Sequence, residues 1–219
     1  DPSLMLALGL KWDEGLRLVP EKESLDELRD WHFSPWIAST FPLGTTDARD
    51  DHGALFAPDL QGGFGEPSPS FGLAALKQVS DDLTVLAEAS HQRFFTHAYG
   101  DGTRYRFGAE TRLNGALVFR AWAAGRTRLD LSGELNGLHL QRDRERDAEG
   151  RMAPLEASGG AILYAGAGAR LSVGALGVAL GIRRAAARDL NEGPDQQGSE
   201  GLERFRAALT LSWSAGLGR

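Results

Sequence analysis

Residues Glu203 to Trp213 read E-R-F-R-A-A-L-T-L-S-W, and this alternation constrains the chain more than any other feature. Side chains on a strand point to opposite faces in turn, so Phe205, Ala207, Leu209, Leu211 and Trp213 share one side. Arg204, Arg206, Ala208, Thr210 and Ser212 share the other. One face is apolar and ends in an aromatic; the other is polar. A transmembrane β-barrel strand has this form, with lipid outside, a polar lumen inside and an aromatic at the interfacial level. A half-buried strand of a soluble sheet alternates in the same way, so repetition along the chain has to separate the two.

The pattern does repeat. Leu4, Leu6, Leu8, Leu10 and Trp12 alternate with Met5, Ala7, Gly9 and Lys11, a first strand. Asp13 to Asp30 reads as a charged connection in which Pro20 blocks a regular element, although E-K-E-S-L-D-E-L-R has the composition for one helical turn or two. Trp31 to Phe41 is a second strand, in which Trp36 falls on the polar side. Leu43 to Ser68, rich in Gly, Pro and Asp, reads as a long loop. Ser70 to Val79 and Leu83 to Phe95 are strands about the tight turn Ser80 to Asp82. Thr103 to Leu113 sets Tyr105, Phe107, Ala109 and Leu113 against Arg104, Arg106, Glu110 and Arg112, and Asn114-Gly115 then signals a hairpin. Leu117 to Trp122 either continues that turn or forms a strand of its own. Arg128 to Leu140, Gly159 to Leu171 and Leu176 to Arg184 complete the series. The mixed charge run in 141–155 and the polar stretch 185–201 read as solvated loops.

The expected fold is therefore all-β: an antiparallel transmembrane β-barrel in a single outer-membrane domain over 1–219, with about nine strands visible. Links alternate long and polar with short, as in outer-membrane barrels, and strand lengths approach the roughly 9–11 residues that cross a bilayer. No apolar run nears the roughly 20 residues of a membrane helix. The 28 Gly disfavour long helices, and the absence of Cys excludes a disulfide framework. Acidic and basic residues are intermixed at a net charge of -6, which argues against nucleic acid as a partner. The leader of an exported chain would lie upstream of Asp1. Strand parity places Asp1 on the outer side; since single-chain bacterial barrels have even counts, upstream residues are expected to complete a barrel of about twelve strands.

No catalytic, metal or cofactor site is expected. Ser90 and His91 are adjacent on a strand, so they point to opposite faces and cannot share a proton. The five His at 32, 52, 91, 97 and 139 lack ligand spacing. Asp47, Asp50 and Asp51 read as a solvated acidic loop rather than a calcium site. The candidate functional residues are the charges of the polar faces: Glu88, Arg104, Arg106, Glu110, Arg112, Asp130, Glu134, Arg170, Arg183 and Arg206, with Arg204 beside them. Their basic excess in a low-dielectric pore would favour anions; paired across the lumen, the same charges would plug it.

Several short motifs carry a resemblance. Ser158-Gly159-Gly160-Ala161-Ile162-Leu163-Tyr164, Gly168-Ala169-Arg170-Leu171, Arg188-Asp189-Leu190-Asn191 and Phe205 to Trp213 resemble the closing strands of an outer-membrane transporter family named for the meta-cleavage pathway of phenol degradation. Thr40-Phe41-Pro42-Leu43-Gly44-Thr45 is similar to that family's S-x-P-T-G element, and Asp1-Pro2-Ser3-Leu4 to its G-D-x-x-L strand start. The chain departs from the family in continuing as Ser214 to Arg219 where a terminal aromatic is usual, and the family has strands before the point matching Asp1. The resemblance implies an outer-membrane barrel and a channel for small molecules. The expected function is a passive or facilitated channel for small, anionic or aromatic solutes in the bacterial outer membrane, in contact with the bilayer and lipopolysaccharide. The alternative is a non-conducting barrel that docks protein partners through loops 44–68, 141–155 and 185–201.

Overall fold

A computed structural model describes residues 1–20, 24, 27–191 and 204–214 of the chain. Nearly all regular structure is antiparallel strand. The chain begins with β1 (Ser3–Ala7), β2 (Leu10–Trp12) and β3 (Leu16–Leu18), followed by a short 3-10 turn at 27–29 and β4 (Trp31–Thr40). β5 (Ser68–Gln78) and β6 (Leu83–Gln92) form a hairpin. β7 (His97–Ala98) and β8 (Arg104–Arg106) are short, and β9 (Glu110–Ala124) and β10 (Thr127–Leu140) are long. β11 (Arg144–Arg146) and β12 (Met152–Pro154) precede β13 (Gly160–Val173), β14 (Leu176–Leu190) and β15 (Phe205–Trp213).

The main sheet is a meander in the order β15-β14-β13-β10-β9-β6-β5-β4-β2-β3, with β1 also on β4. β1 and β2 are one strand in effect, because Ala7 opposite Trp36 and Leu10 opposite Phe33 keep a single register. The ladder is interrupted where Pro35, which has no N–H to donate, faces Leu8; Leu8 N still donates to Pro35 O at 3.0 Å. Links at one end are short: 79–82, 125–126 and 174–175. Gly125 and Gly174 take positive φ at the first central position of two-residue turns, where a side chain would be strained. At the other end the links 41–67, 93–109, 141–159 and 191–204 are long. The expected alternation of link lengths is thus present.

Six expectations are corrected. Asn114-Gly115 is no hairpin but mid-strand in β9, because Thr111 to Phe119 pair continuously with β6 on one side and β10 on the other. The expected strand Thr103 to Leu113 divides, β8 going to a second sheet of order β12-β11-β8-β7 and the rest to β9. The charge run at 141–155 holds the hairpin β11–β12 rather than an irregular loop, and the connection Asp13 to Asp30 contains β3. Of the expected loop 185–201, residues 185–190 are strand and 192–201 lie outside the described residues. Finally, no closed barrel is found among the described residues: among them β15 is bonded to β14 alone, and the opposite edge is formed by β1 and β3.

The sheet has two unlike faces. Reading pairs across the register, one face runs Trp213, Leu211, Leu209 on β15, Leu176, Val178, Leu180, Ile182 on β14, and Val173, Leu171, Ala169, Ala167 on β13. It continues through Leu129, Leu131 and Leu135, then Phe119, Leu117 and Leu113, then Val85, Ala87 and Ala89. It ends on Leu73 and Phe71, Ile37 and Phe33, and Leu4, Leu6 and Leu10. This face is open to its surroundings: Leu180 is 55% exposed, Leu209 67% and Leu211 74%. Trp12, Trp31, Trp122 and Trp213 all lie on it at the short-turn end. Trp122 reaches it through a bulge. Leu129 pairs with Trp122 but Asp130 pairs with Arg120, so Ala121 is an extra residue that reverses the parity of the strand.

The apolar core in the sense of a soluble domain lies at the long-loop end. Among the described residues, the buried apolar or aromatic side chains are Phe94, Tyr99, Tyr105, Ile162 and Tyr164. Phe64 packs on Phe94 and Phe107 with ring centroids 4.8 and 5.2 Å apart, and Tyr105 on Phe107 at 5.0 Å. Asp143 fixes the second sheet to this cluster, accepting from Tyr105 Oη and from Gly108 N. Burial and Asp59 push the Tyr99 hydroxyl up to about 12.

Candidate functional site

The polar face of the main sheet gathers most of the charges singled out from the sequence. Arg206 lies opposite Arg183, and Glu134 is separated from Arg183 in the same row by Gly166. Arg170, Asp130 and Arg120 form the row nearer the short turns. Glu88, Asn114 and Asn136 form a third, in which Asn136 Nδ2 donates to Asn114 Oδ1 and Asn114 Nδ2 to Glu88 Oε2, both at 3.3 Å. This ladder explains the mid-strand Asn-Gly pair: Asn114 has partners on both neighbouring strands. Glu110 and Arg112 sit at the long-loop end of the same face. Thus Glu88, Glu110, Arg112, Asp130, Glu134, Arg170, Arg183 and Arg206 share a face. Arg104 and Arg106 do not; they belong to β8 in the second sheet, and Arg204 is the residue preceding β15.

Over β9, β10 and β13–β15 Arg128, Asp130, Glu134, Arg170, Arg183 and Arg206 line a groove of about 590 Å³. Small residues make the room: Gly168 opposes Gly181, and Ala179 and Ala208 lie beside them. Both ion pairs described on this half run along one strand, Arg128 Nε to Asp130 Oδ1 and Arg112 Nη2 to Glu110 Oε2, each 2.6 Å. Arg170 donates to Ser212 Oγ at 3.4 Å, and the Arg183 guanidinium lies over the Tyr164 ring, 5.1 Å from its centroid. Arg120 Nε is buried with no hydrogen-bond partner among the described residues.

On β4 a bulky side chain occupies the polar face. Trp36 turns inward and lies against Gly72, where an added Cβ would come within 2.5 Å of the indole. At the short-turn end Lys11 is only 3% exposed; its ammonium bonds Glu27 and lies 3.9 Å from Asp30. The Lys11 bond holds the Glu27 carboxyl down to about 2. Arg29 pairs with Asp81, so the 27–29 turn is held against the β5–β6 link.

Sequence reasoning set Lys11 and Asn136 on the polar side of their strands without naming them as functional candidates, and missed Arg120, Arg128 and Asn114 as members of this face. Arg128 and Asn114 follow from strict alternation once the strand limits are known. Arg120 was hidden by the bulge beside it. No family model and no curated protein matches the chain.

Proposed function

We propose that the chain is an outer-membrane β-barrel whose polar face lines an aqueous path for small solutes, with preference for anions. The observation that carries this reading is the exposed apolar face. Nine long strands at ~4.8 Å spacing, apolar over ~25 Å of height, make a surface on the order of 1,000 Å² or more. The largest patch on a soluble monomer is ~300–600 Å². Leaving such a surface in water would forgo ~25 cal/mol for every Å², whereas hydrocarbon covers it without loss. Tryptophans confined to one rim of that surface suit the interfacial level of a bilayer. The short motifs that resemble the phenol-pathway transporter family point to the same location.

Seven arginines on the polar face, at 112, 120, 128, 170, 183, 188 and 206, stand against the carboxylates of Glu88, Glu110, Asp130 and Glu134. The local course of the two ion pairs, along a strand rather than across the face, favours an open path over a charge-plugged one. Planar-bilayer recording of the detergent-extracted protein tests this. Discrete, salt-dependent steps with a reversal potential of anion sign are expected, and Arg170→Glu with Arg206→Glu should move that potential toward cations. Unchanged selectivity removes these residues from the path. The ordered second sheet, with its own aromatic core, favours one other reading: a non-conducting barrel presenting a docking cap. Electrical silence from folded protein together with a stable co-purifying partner would select it.

A further inference from the structure

A second group of charges lies outside the polar face. Arg106 on β8 stands directly opposite Arg144 on β11. Like charges opposite one another on neighbouring strands destabilise the pair. Arg93, one residue past β6, and Arg142, two past β10, complete the group. Arg93, Arg106 and Arg142 line a pocket of about 230 Å³ together with His91, Phe107 and Gln141. Among the described residues no carboxylate forms an ion pair with Arg93, Arg106, Arg142 or Arg144. Neighbouring acids are engaged elsewhere, Asp143 with Tyr105 and Gly108 and Glu110 with Arg112. Burial, with Arg144 and Arg93 nearby, holds the Arg106 pKa below its ordinary value, so the site is short of negative charge.

Its position is specific. His91 lies on the apolar face at the long-loop end, its ring 5.6 Å from that of Phe71 and its Nδ1 2.9 Å from Thr111 Oγ1. Arg93 continues that face, its N–H donating to Pro69 O at 3.0 Å. The pocket therefore sits on the rim where the apolar belt stops, level with Phe71 and one row beyond Leu113 and Leu163. An amphiphile with its chains on those residues would carry its headgroup to the arginines.

We infer that this rim pocket binds the phosphate of an outer-leaflet lipid, held by the guanidiniums of Arg93, Arg106 and Arg142 with its acyl chains on the apolar face below. Guanidinium matches phosphate through paired N–H donors, and a phosphate relieves the repulsion between Arg106 and Arg144. The inference rests on the bilayer reading above. Free phosphate shares the headgroup chemistry but has no use for the belt.

The test titrates the detergent-solubilised chain with diphosphorylated lipid A, with its dephosphorylated form and with inorganic phosphate, following the thermal unfolding midpoint. Lipid A should raise the midpoint, dephosphorylated lipid A should not, and inorganic phosphate should compete only at concentrations hundreds of times higher. Arg93→Gln with Arg142→Gln, both exposed and outside the main ladders, should weaken lipid A binding about tenfold or more, and Arg146→Gln should not. Equal binding of the dephosphorylated lipid, equal potency of inorganic phosphate, or a double variant that binds like the parent overturns the site. Flotation with phospholipid vesicles separates this from the premise: a chain that does not float removes the bilayer reading, while the detergent titration still decides whether phosphate is bound.

Discussion

At the scale of single residues, two contacts carry measurable consequences. Trp36 points to the polar side against the alternation of its strand, and Gly72 directly across leaves the space it occupies. Gly72→Val should therefore force the indole or the strand to move, at ~1–3 kcal/mol as for overpacking elsewhere. The expected sign is a lower denaturant midpoint, recovered when Trp36→Ala is added; no recovery would mean that the two do not share the space. The second contact is Lys11 with Glu27. The Glu27 carboxyl is held at about 2 against an ordinary 4.5, first by the Lys11 bond and then by Ser24. A depressed carboxylate contributes stability above its unfolded value and loses it as pH falls through the folded one. Stability should thus drop between pH 4.5 and about 2, and Glu27→Gln should flatten that part of the curve. A variant with the same pH profile as the parent would assign the loss to other acids.

At the scale of the strand, face is decided by parity, and parity is local. β14 pairs with both neighbours over its first nine residues, so Ala179 and Leu180 occupy opposite faces in one register. Leu180→Arg at mid-belt should lower folding stability in bilayers by ~2–4 kcal/mol, while Ala179→Arg, facing the groove, should cost far less. Unfolding titrations in phospholipid vesicles compare the two; similar costs would mean that the faces are not divided between lipid and water. The bulges at Ala121 and between Leu163 and Tyr164 show how a strand changes faces midway. A single inserted residue sends Trp122 to the apolar rim and leaves Arg120 on the polar side.

At the scale of the molecule, the open edges constrain what completes the sheet. β1 and β15 both run from the long-loop end to the short-turn end, so joining them directly would make a parallel pair. Bacterial single-chain barrels are antiparallel with an even count. Over the height of β1, closure then needs an odd number of further strands; β3 fills that position only beside β2. On the barrel reading proposed above, β1 and β15 are thus not bonded to each other directly: the double variant Leu6→Cys with Leu209→Cys should not form a disulfide in the folded protein, and an efficient cross-link would overturn the parity requirement.

The sequence by itself determined the two-faced strands, their approximate number, and the alternation of short and long links. Period two is a property of the extended backbone, and turn residues act over a few positions, so both are readable without neighbours. It also placed eight charges on what proved to be one face, because each lies in a stretch where the alternation is unbroken. The tertiary structure decided the rest. Asn-Gly at 114 and 115 is a turn only if no neighbouring strand pairs with it, and β6 and β10 both do. Arg104 and Arg106 leave the face because β8 pairs with β11, more than thirty residues away, rather than with the sheet. Pairing between distant segments sets register, and a slip of one residue moves every side chain to the other face; that information belongs to the neighbours and not to the strand.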